Sequence, residues 1–310
     1  MKPLINDILG IHHITSIASD PIKNNHFFTE VLGLRRVKKT VNFDNPSVYH
    51  LYFADPKGTP GTVLTYFPFP SRIRGTRGIG EVAQARFAVL PGRLDFWEDR
   101  LAQYGVSDLL RVERFATETL EFTGPDGERL AICETNGASL PPADGHIPAQ
   151  EALRGFHSAE FCVDASSEVG DLLTFMGFVT QTREGETQRF ELPSIGPASI
   201  IDVHYKAGGE KAQENAGSVH HIAFAVKDDE AQQRVRQALI AYGCQVTGVK
   251  DRSYFKAIYF RTQDGILFEV ATNPPGFATD EPLETMGERL CLPEQHKSLR
   301  DRLERQLIPL

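Results

Sequence analysis

The chain has 310 residues, 41% hydrophobic and 24% charged, an ordinary globular composition with ample core and length for two domains. Its net charge of -8 and scattered Lys and Arg, apart from the short run Arg35-Arg36-Val37-Lys38-Lys39, argue against a nucleic-acid groove. No apolar run reaches the length of a membrane span, no signal peptide is expected after Met1-Lys2-Pro3, and the four cysteines (Cys133, Cys162, Cys244, Cys291) lack CxxC spacing, which fits a reduced, cytoplasmic protein.

In chain order, one pattern recurs four times: strand, helix, glycine stop, then more strands. The first copy opens on Ile11-His12-His13-Ile14-Thr15, with Asp20-Pro21 marking a helix start. The second opens on Val82-Ala83-Gln84-Ala85-Arg86-Phe87-Ala88-Val89, with a helix expected from Pro91 to Tyr104. The third opens on Phe156-His157-Ser158-Ala159-Glu160-Phe161-Cys162-Val163, with a helix from about Ser166 to Met176. The fourth opens on Val219-His220-His221-Ile222-Ala223, and its helix carries Val235, Leu239 and Tyr242 on one face with Asp228 and Asp229 at its positive end. The stops are Gly33, Gly105, Gly177 and Gly243, where a left-handed residue is expected. Short β-rich runs follow each stop, with Asp126-Gly127 and Asp264-Gly265 as turns.

Each copy therefore reads as βαβββ. The expected architecture is α+β, with four such modules forming two paired half-barrel domains and a C-terminal helical arm. Along the chain this gives 8–138 for modules one and two, a Pro-rich linker at 139–152, 153–275 for modules three and four, and an arm at 276–310 with a helix around Leu299 to Leu307.

Aligning the modules tests the chemistry. The place of His13 and His221 is taken by Gln84 in module two and Ser158 in module three. The place of Glu269 is taken by Thr65, Ala131 and Asp202 in modules one, two and three. Pairing module one with four would bring together His13, His221 and Glu269. Pairing three with four would bring together Asp202, His221 and Glu269, and other pairings give no credible site. Two imidazoles and one carboxylate are what a non-haem Fe(II) centre needs, and an unpaired carboxylate on an apolar strand is costly without a partner. His26, His50, His146, His204 and His296 read as ordinary polar groups, and His157 as a relic.

The module order resembles the vicinal oxygen chelate superfamily, which includes glyoxalases and extradiol dioxygenases. The stretches Leu32-Gly33-Leu34-Arg35-Arg36 through Asn42-Phe43-Asp44, Tyr49-His50-Leu51-Tyr52-Phe53, Asp251-Arg252-Ser253-Tyr254-Phe255 and Gly265-Ile266-Leu267-Phe268-Glu269 are similar to hydroquinone-type ring-cleaving dioxygenases. That resemblance covers nearly the whole chain. It implies Fe(II), or Mn(II), held by His13, His221 and Glu269, with supporting roles for His12, Thr15, His220, Arg252 and Tyr259. The implied activity is extradiol-type insertion of O2 into a hydroquinone or related diphenol. His12 and His220 would then serve as acid or base, Arg252 would steady anions, and Tyr259 would donate to a bound oxygen. The alternatives are a glyoxalase-type metal isomerase or thiol transferase, against which Thr65 speaks, and an aromatic-ligand-binding resistance protein. The expected partners are a small aromatic diphenol and O2, without nucleic acid or membrane, and a homo-oligomer is compatible with the sequence.

Overall fold

A computed structural model describes residues 4–136, 146–193 and 198–310. Module one supplies β1 (Ile8–Ala18), α1 (Pro21–His26), β2 (Arg35–Val41), β3 (Tyr49–Ala54) and β4 (Val63–Pro68). Module two supplies β5 (Glu81–Val89), α2 (Leu94–Gln103), β6 (Leu110–Arg114), β7 (Thr117–Thr123) and β8 (Arg129–Glu134). Module three supplies β9 (Phe156–Asp164), α3 (Val169–Phe175), β10 (Val179–Glu184), β11 (Thr187–Glu191) and β12 (Ile200–Lys206). Module four supplies β13 (Val219–Val226), α4 (Asp229–Tyr242), β14 (Lys250–Asp251), β15 (Phe255–Arg261) and β16 (Leu267–Pro275), and the arm ends in α5 (Arg300–Gln306).

Local chemistry sets the helix ends. The Asp20 carboxylate accepts the N–H groups of Ile22 and Lys23, with Pro21 in the first turn, and Asp228 caps α4 in the same way through Ala231. The first helix passes into a π-helical turn at Phe27–Val31, which its sequence did not announce. α2 starts later than Pro91 because Gly92 turns left-handed and Glu134 accepts the N–H groups of Arg93 and Leu94. The four stop glycines all have positive φ, from 67° to 119°. At Gly33 there is a second reason: a Cβ would lie 2.2 Å from the Ile147 side chain.

Among the described residues the strands form two eight-stranded sheets, ordered β14-β15-β16-β13-β1-β4-β3-β2 and β10-β11-β12-β9-β5-β8-β7-β6. The first sheet joins module one to module four, and the second joins module two to module three. The expected division into 8–138 and 153–275 therefore follows chain order, and both sheets cross it. Residues 137–145 of the expected linker lie outside the described residues.

Within each module the opening strand pairs in parallel with the closing one. The registers are Thr15 with Thr65, Arg86 with Ala131, Glu160 with Asp202, and Ala223 with Glu269. Each left-hand residue lies two places beyond His13, Gln84, Ser158 or His221, so the module alignment is reproduced strand by strand. At the seam of the first sheet, β1 and β13 run antiparallel with His13 opposite Ala223 and Thr15 opposite His221. A local two-fold relation between modules one and four follows.

The two half-barrels share one apolar core, where Phe161 meets Phe268 and Phe178 meets Phe224. The arm straps module one. Fully buried Lys38 donates to Asp280 and Glu281 at 2.6 Å each, and the Tyr49 hydroxyl donates to the Ile308 carbonyl. None of the four cysteines is in a disulfide, and no helix of the described residues is long and apolar enough to cross a membrane.

One buried acid makes stability depend on pH. Glu128 accepts from the Tyr66 hydroxyl (3.2 Å) and the Asp126 N–H (2.7 Å), and burial pushes its carboxyl up to about 7 from the usual 4.5. A folded pKa above the unfolded one gives stability that is full below pH 4.5 and lost as pH rises through 7. The loss is of order 3 kcal/mol. Glu128→Gln is expected to flatten the fall in melting temperature between about pH 5 and pH 8. Parallel falls in variant and wild type would show that this group does not titrate between those limits.

Candidate metal centre

His13 and His221 face each other across the seam strands, and Glu269 comes from β16 beside β13. Their Nε2 atoms are 3.3 Å apart. Glu269 Oε2 lies 3.0 Å from His221 Nε2 and 3.5 Å from His13 Nε2. All three residues are buried, and their ligand atoms lie within 4.8 Å of one another. Neither Glu269 oxygen has a well-aligned hydrogen bond. Burial works against the Glu269 charge, yet His13 and His221 hold its carboxyl well below the usual range. A buried anion facing two imidazole nitrogens with no aligned donor is the arrangement a cation completes.

Hydrogen bonds on the far side of each ring set the tautomers. His12 bonds the backbone of Thr272, and its Nδ1 lies 2.9 Å from His13 Nδ1. With the His12 N–H committed to that carbonyl, His12 Nδ1 accepts from His13 Nδ1–H, leaving the His13 Nε2 lone pair toward the centre. His220 repeats the contact in module four, Nδ1 to Nδ1 at 2.7 Å from His221. Burial, then the neighbouring ligand imidazole, lowers His12 to about 3 and His220 to about 4, so both stay neutral near pH 7. Such neutral outer partners orient metal-binding histidines.

The donors close the inner end of a cavity of about 340 Å³, room for one substituted aromatic ring. Its walls include Phe67, Phe69 and Phe43, together with His220, Arg252 and Tyr259. Arg252 Nε donates to the Tyr259 hydroxyl at 3.1 Å, and its guanidinium lies over the Phe43 ring. Burial, then Glu269, pushes the Tyr259 hydroxyl well above its ordinary value, so it remains a donor. Thr15 bonds Thr65 at 2.8 Å.

Sequence reasoning missed His50 and Tyr52. The first was read as an ordinary polar group, yet both line the cavity. The signal was present: Tyr52 stands opposite Thr65 as Tyr259 stands opposite Glu269, so extending the module alignment by one strand would have found it. His204 bonds Thr187, His146 bonds the Thr29 carbonyl, and His296 bonds the Phe43 carbonyl.

Asp202 is not at this centre. It lies in the second sheet, held by Arg189 (2.8 and 2.9 Å) and Arg86 (2.5 Å), while Arg86 also pairs with Glu160. The pairing of modules three and four is thereby ruled out. His157 sits in that sheet against Ser158. The other grouping of potential ligands among the described residues, Asp280, Glu281 and Cys291, already surrounds Lys38.

Known proteins resemble the chain along most of its length. The model of the glyoxalase/bleomycin resistance protein/dioxygenase superfamily matches residues 10–132 and 155–270. A Bacillus subtilis (strain 168) protein named "Putative ring-cleaving dioxygenase MhqO" is 42% identical over 304 residues, covering 97% of this chain and 96% of its own. The chlorohydroquinone/hydroquinone 1,2-dioxygenase of Sphingobium indicum is 31% identical over 316 residues, covering 99% and 98%. A crystal structure of a Bacillus subtilis subsp. subtilis str. 168 protein described as a "putative dioxygenase" superposes with a TM-score of 0.94 at 40% identity, covering 98% of both chains. The chain belongs to the glyoxalase/bleomycin resistance protein/dioxygenase superfamily.

Proposed function

We propose that this protein is a ring-cleaving dioxygenase that inserts O2 into a hydroquinone or related diphenol, using Fe(II) held by His13, His221 and Glu269. The observation that carries the reading is the convergence of those three donors at the closed end of an aromatic-walled cavity. Two neutral imidazoles and one carboxylate on one side of an ion leave its other side open, as the non-haem iron oxygenases require, and Mn(II) fits the same donors. The metal would acidify a bound phenol and bring ring and O2 together. The relative named a chlorohydroquinone/hydroquinone 1,2-dioxygenase, aligned over nearly its whole length, supports the substrate class.

The remaining roles belong to the protein. Arg252 keeps a fixed cation on the wall where oxygen acquires negative charge, and the Tyr259 hydroxyl beside it is a ready donor to that oxygen. Phe43, Phe67 and Phe69 seat the ring and exclude water. His12 and His220 fix the ligand imidazoles. A glyoxalase-type isomerase is disfavoured because the slot for a second carboxylate holds Thr65, which bonds Thr15 and His50.

The deciding experiment is oxygen uptake by anaerobically Fe(II)-loaded protein offered hydroquinone, a methylated or chlorinated hydroquinone, and catechol. Uptake with a hydroquinone and a new semialdehyde absorbance are expected. No uptake with any diphenol at stoichiometric iron would overturn the reading. Tyr259→Phe is expected to slow turnover on the order of 10²-fold with iron content unchanged. Normal turnover in that variant would remove Tyr259 from the chemistry.

A further inference from the structure

The two-fold relation between modules one and four duplicates more than the histidines. Tyr52 on β3 stands opposite Thr65, and Tyr259 on β15 stands opposite Glu269, so the two tyrosines occupy equivalent places. Each hydroxyl has a polar partner on the cavity wall: Arg252 for Tyr259 at 3.1 Å, and His50 for Tyr52 at 2.8 Å. Module four therefore presents a charged wall, with Arg252 and Glu269. Opposite it, His50 and Tyr52 form a buried neutral wall from module one, while the charged Asp44 and Arg72 line the cavity from exposed positions.

The neutral wall is firmly built. The His50 ring lies between those of Tyr52 (4.0 Å) and Phe67 (4.4 Å). Burial, then the neighbouring His13, His221 and Arg252, keep His50 well below its usual pKa, so it is a neutral imidazole. No other acceptor is seen for the Tyr52 hydroxyl among the described residues, so it donates to His50 Nδ1. The proton then sits on Nε2, which points at Thr65 Oγ1 at 2.9 Å. Thr65 has a second neighbour, the Thr15 hydroxyl at 2.8 Å, which can rotate to donate in its place. The His50 Nε2–H is thus a donor that a ligand oxygen can share or take over.

We propose that His50, oriented by Tyr52, is a substrate-contacting residue that donates a hydrogen bond from Nε2 to an oxygen of the diphenol. The inference rests on the dioxygenase reading above and adds to it which wall takes which reactant. The diphenol leans on the neutral module-one wall, and the charged Arg252–Tyr259 wall is left for oxygen that becomes anionic. A hydroquinone has its two oxygens on opposite ends of the ring and cannot chelate, so a donor from the protein is needed to fix its orientation.

The test is anaerobic equilibrium titration of Fe(II)-loaded protein with hydroquinone, followed by calorimetry, together with KM for hydroquinone and for O2. His50→Phe keeps the ring and loses the N–H. It is expected to weaken hydroquinone binding by about tenfold or more, with iron content and KM for O2 unchanged. His50→Gln, whose amide N–H falls near Nε2, is expected to recover most of that loss. Tyr52→Phe, acting only through the imidazole's orientation, is expected to weaken binding by a smaller factor and serves as the second variant if His50→Phe does not fold. Undiminished hydroquinone affinity in a folded variant lacking the His50 N–H or its Tyr52 partner would overturn the assignment. A change confined to KM for O2 would also overturn it, by placing His50 on the oxygen side. If the iron-loaded wild type itself binds no diphenol, the dioxygenase reading falls and this inference with it, a result distinguishable from affinity that is merely insensitive to His50.

Discussion

Glu269→Gln is expected to abolish the metal-dependent rise in melting temperature and to bring oxygen uptake to background. The side chain keeps its size, so the change is one of charge and ligand type. In the wild type, a cation that binds the folded chain alone stabilises it by about 2.7 kcal/mol at one hundred times its dissociation constant. Losing an outer hydrogen-bond partner of a metal ligand already costs 10–100-fold in affinity, and Glu269 is the one anionic donor of the three. The variant should therefore show little or no gain in melting temperature with Fe(II) or Mn(II) under anaerobic conditions. His13→Ala should behave alike, because β1 places His13 3.3 Å from His221 across the seam. An equal metal-induced rise in wild type and Glu269→Gln would mean that the ion binds elsewhere. Full activity in His13→Ala would contradict the pairing of modules one and four at the metal.

The centre was legible in the sequence because strands have a period of two and the modules repeat. A residue two places beyond each opening position must meet the closing strand at one register, and the structure has that register in all four modules. What a single chain could not decide was which modules share a sheet, because the seam between β1 and β13 is a contact between strands 208 residues apart. Asp202 stayed open for that reason. His50 escaped because its place on the wall depends on two neighbouring strands, β3 and β4, and on an aromatic neighbour from each. The π-helical turn at Phe27–Val31 escaped because the spacing of apolar residues there serves an α-helix equally well.

The second half-barrel supplies the other large expected effect, because a side chain of the chain itself stands where the first half-barrel has its candidate metal centre. Its register equivalents of the ligand positions are Gln84, Ser158, Ala131 and Asp202, and the Arg86 guanidinium reaches in among them. Arg86 is 2% exposed; it donates to Gln84 at 2.7 Å and to Asp202 at 2.5 Å, and it pairs with Glu160. The cation here is thus part of the chain. An arginine two places after Gln84, in a run from Val82 to Val89 that is apolar apart from those two, was the visible trace of it. Arg86→Met removes that charge and leaves Glu160 without the partner described for it, while Asp202 keeps Arg189. Breaking a buried ion pair from one side costs about 3–5 kcal/mol, which in a domain of this size lowers the melting temperature by roughly 10 °C. Adding Glu160→Gln to Arg86→Met should recover part of the loss, since the uncompensated carboxylate is what makes the single change costly. Metal binding in the folded variants should be unchanged, because the ligands stand in the other sheet. A single variant as stable as the wild type would show that the arginine fills space without balancing charge. A double variant no better than the single one would show that Glu160 finds solvent once Arg86 is gone, leaving Asp202 and Arg189 as the pair that holds the second sheet's centre.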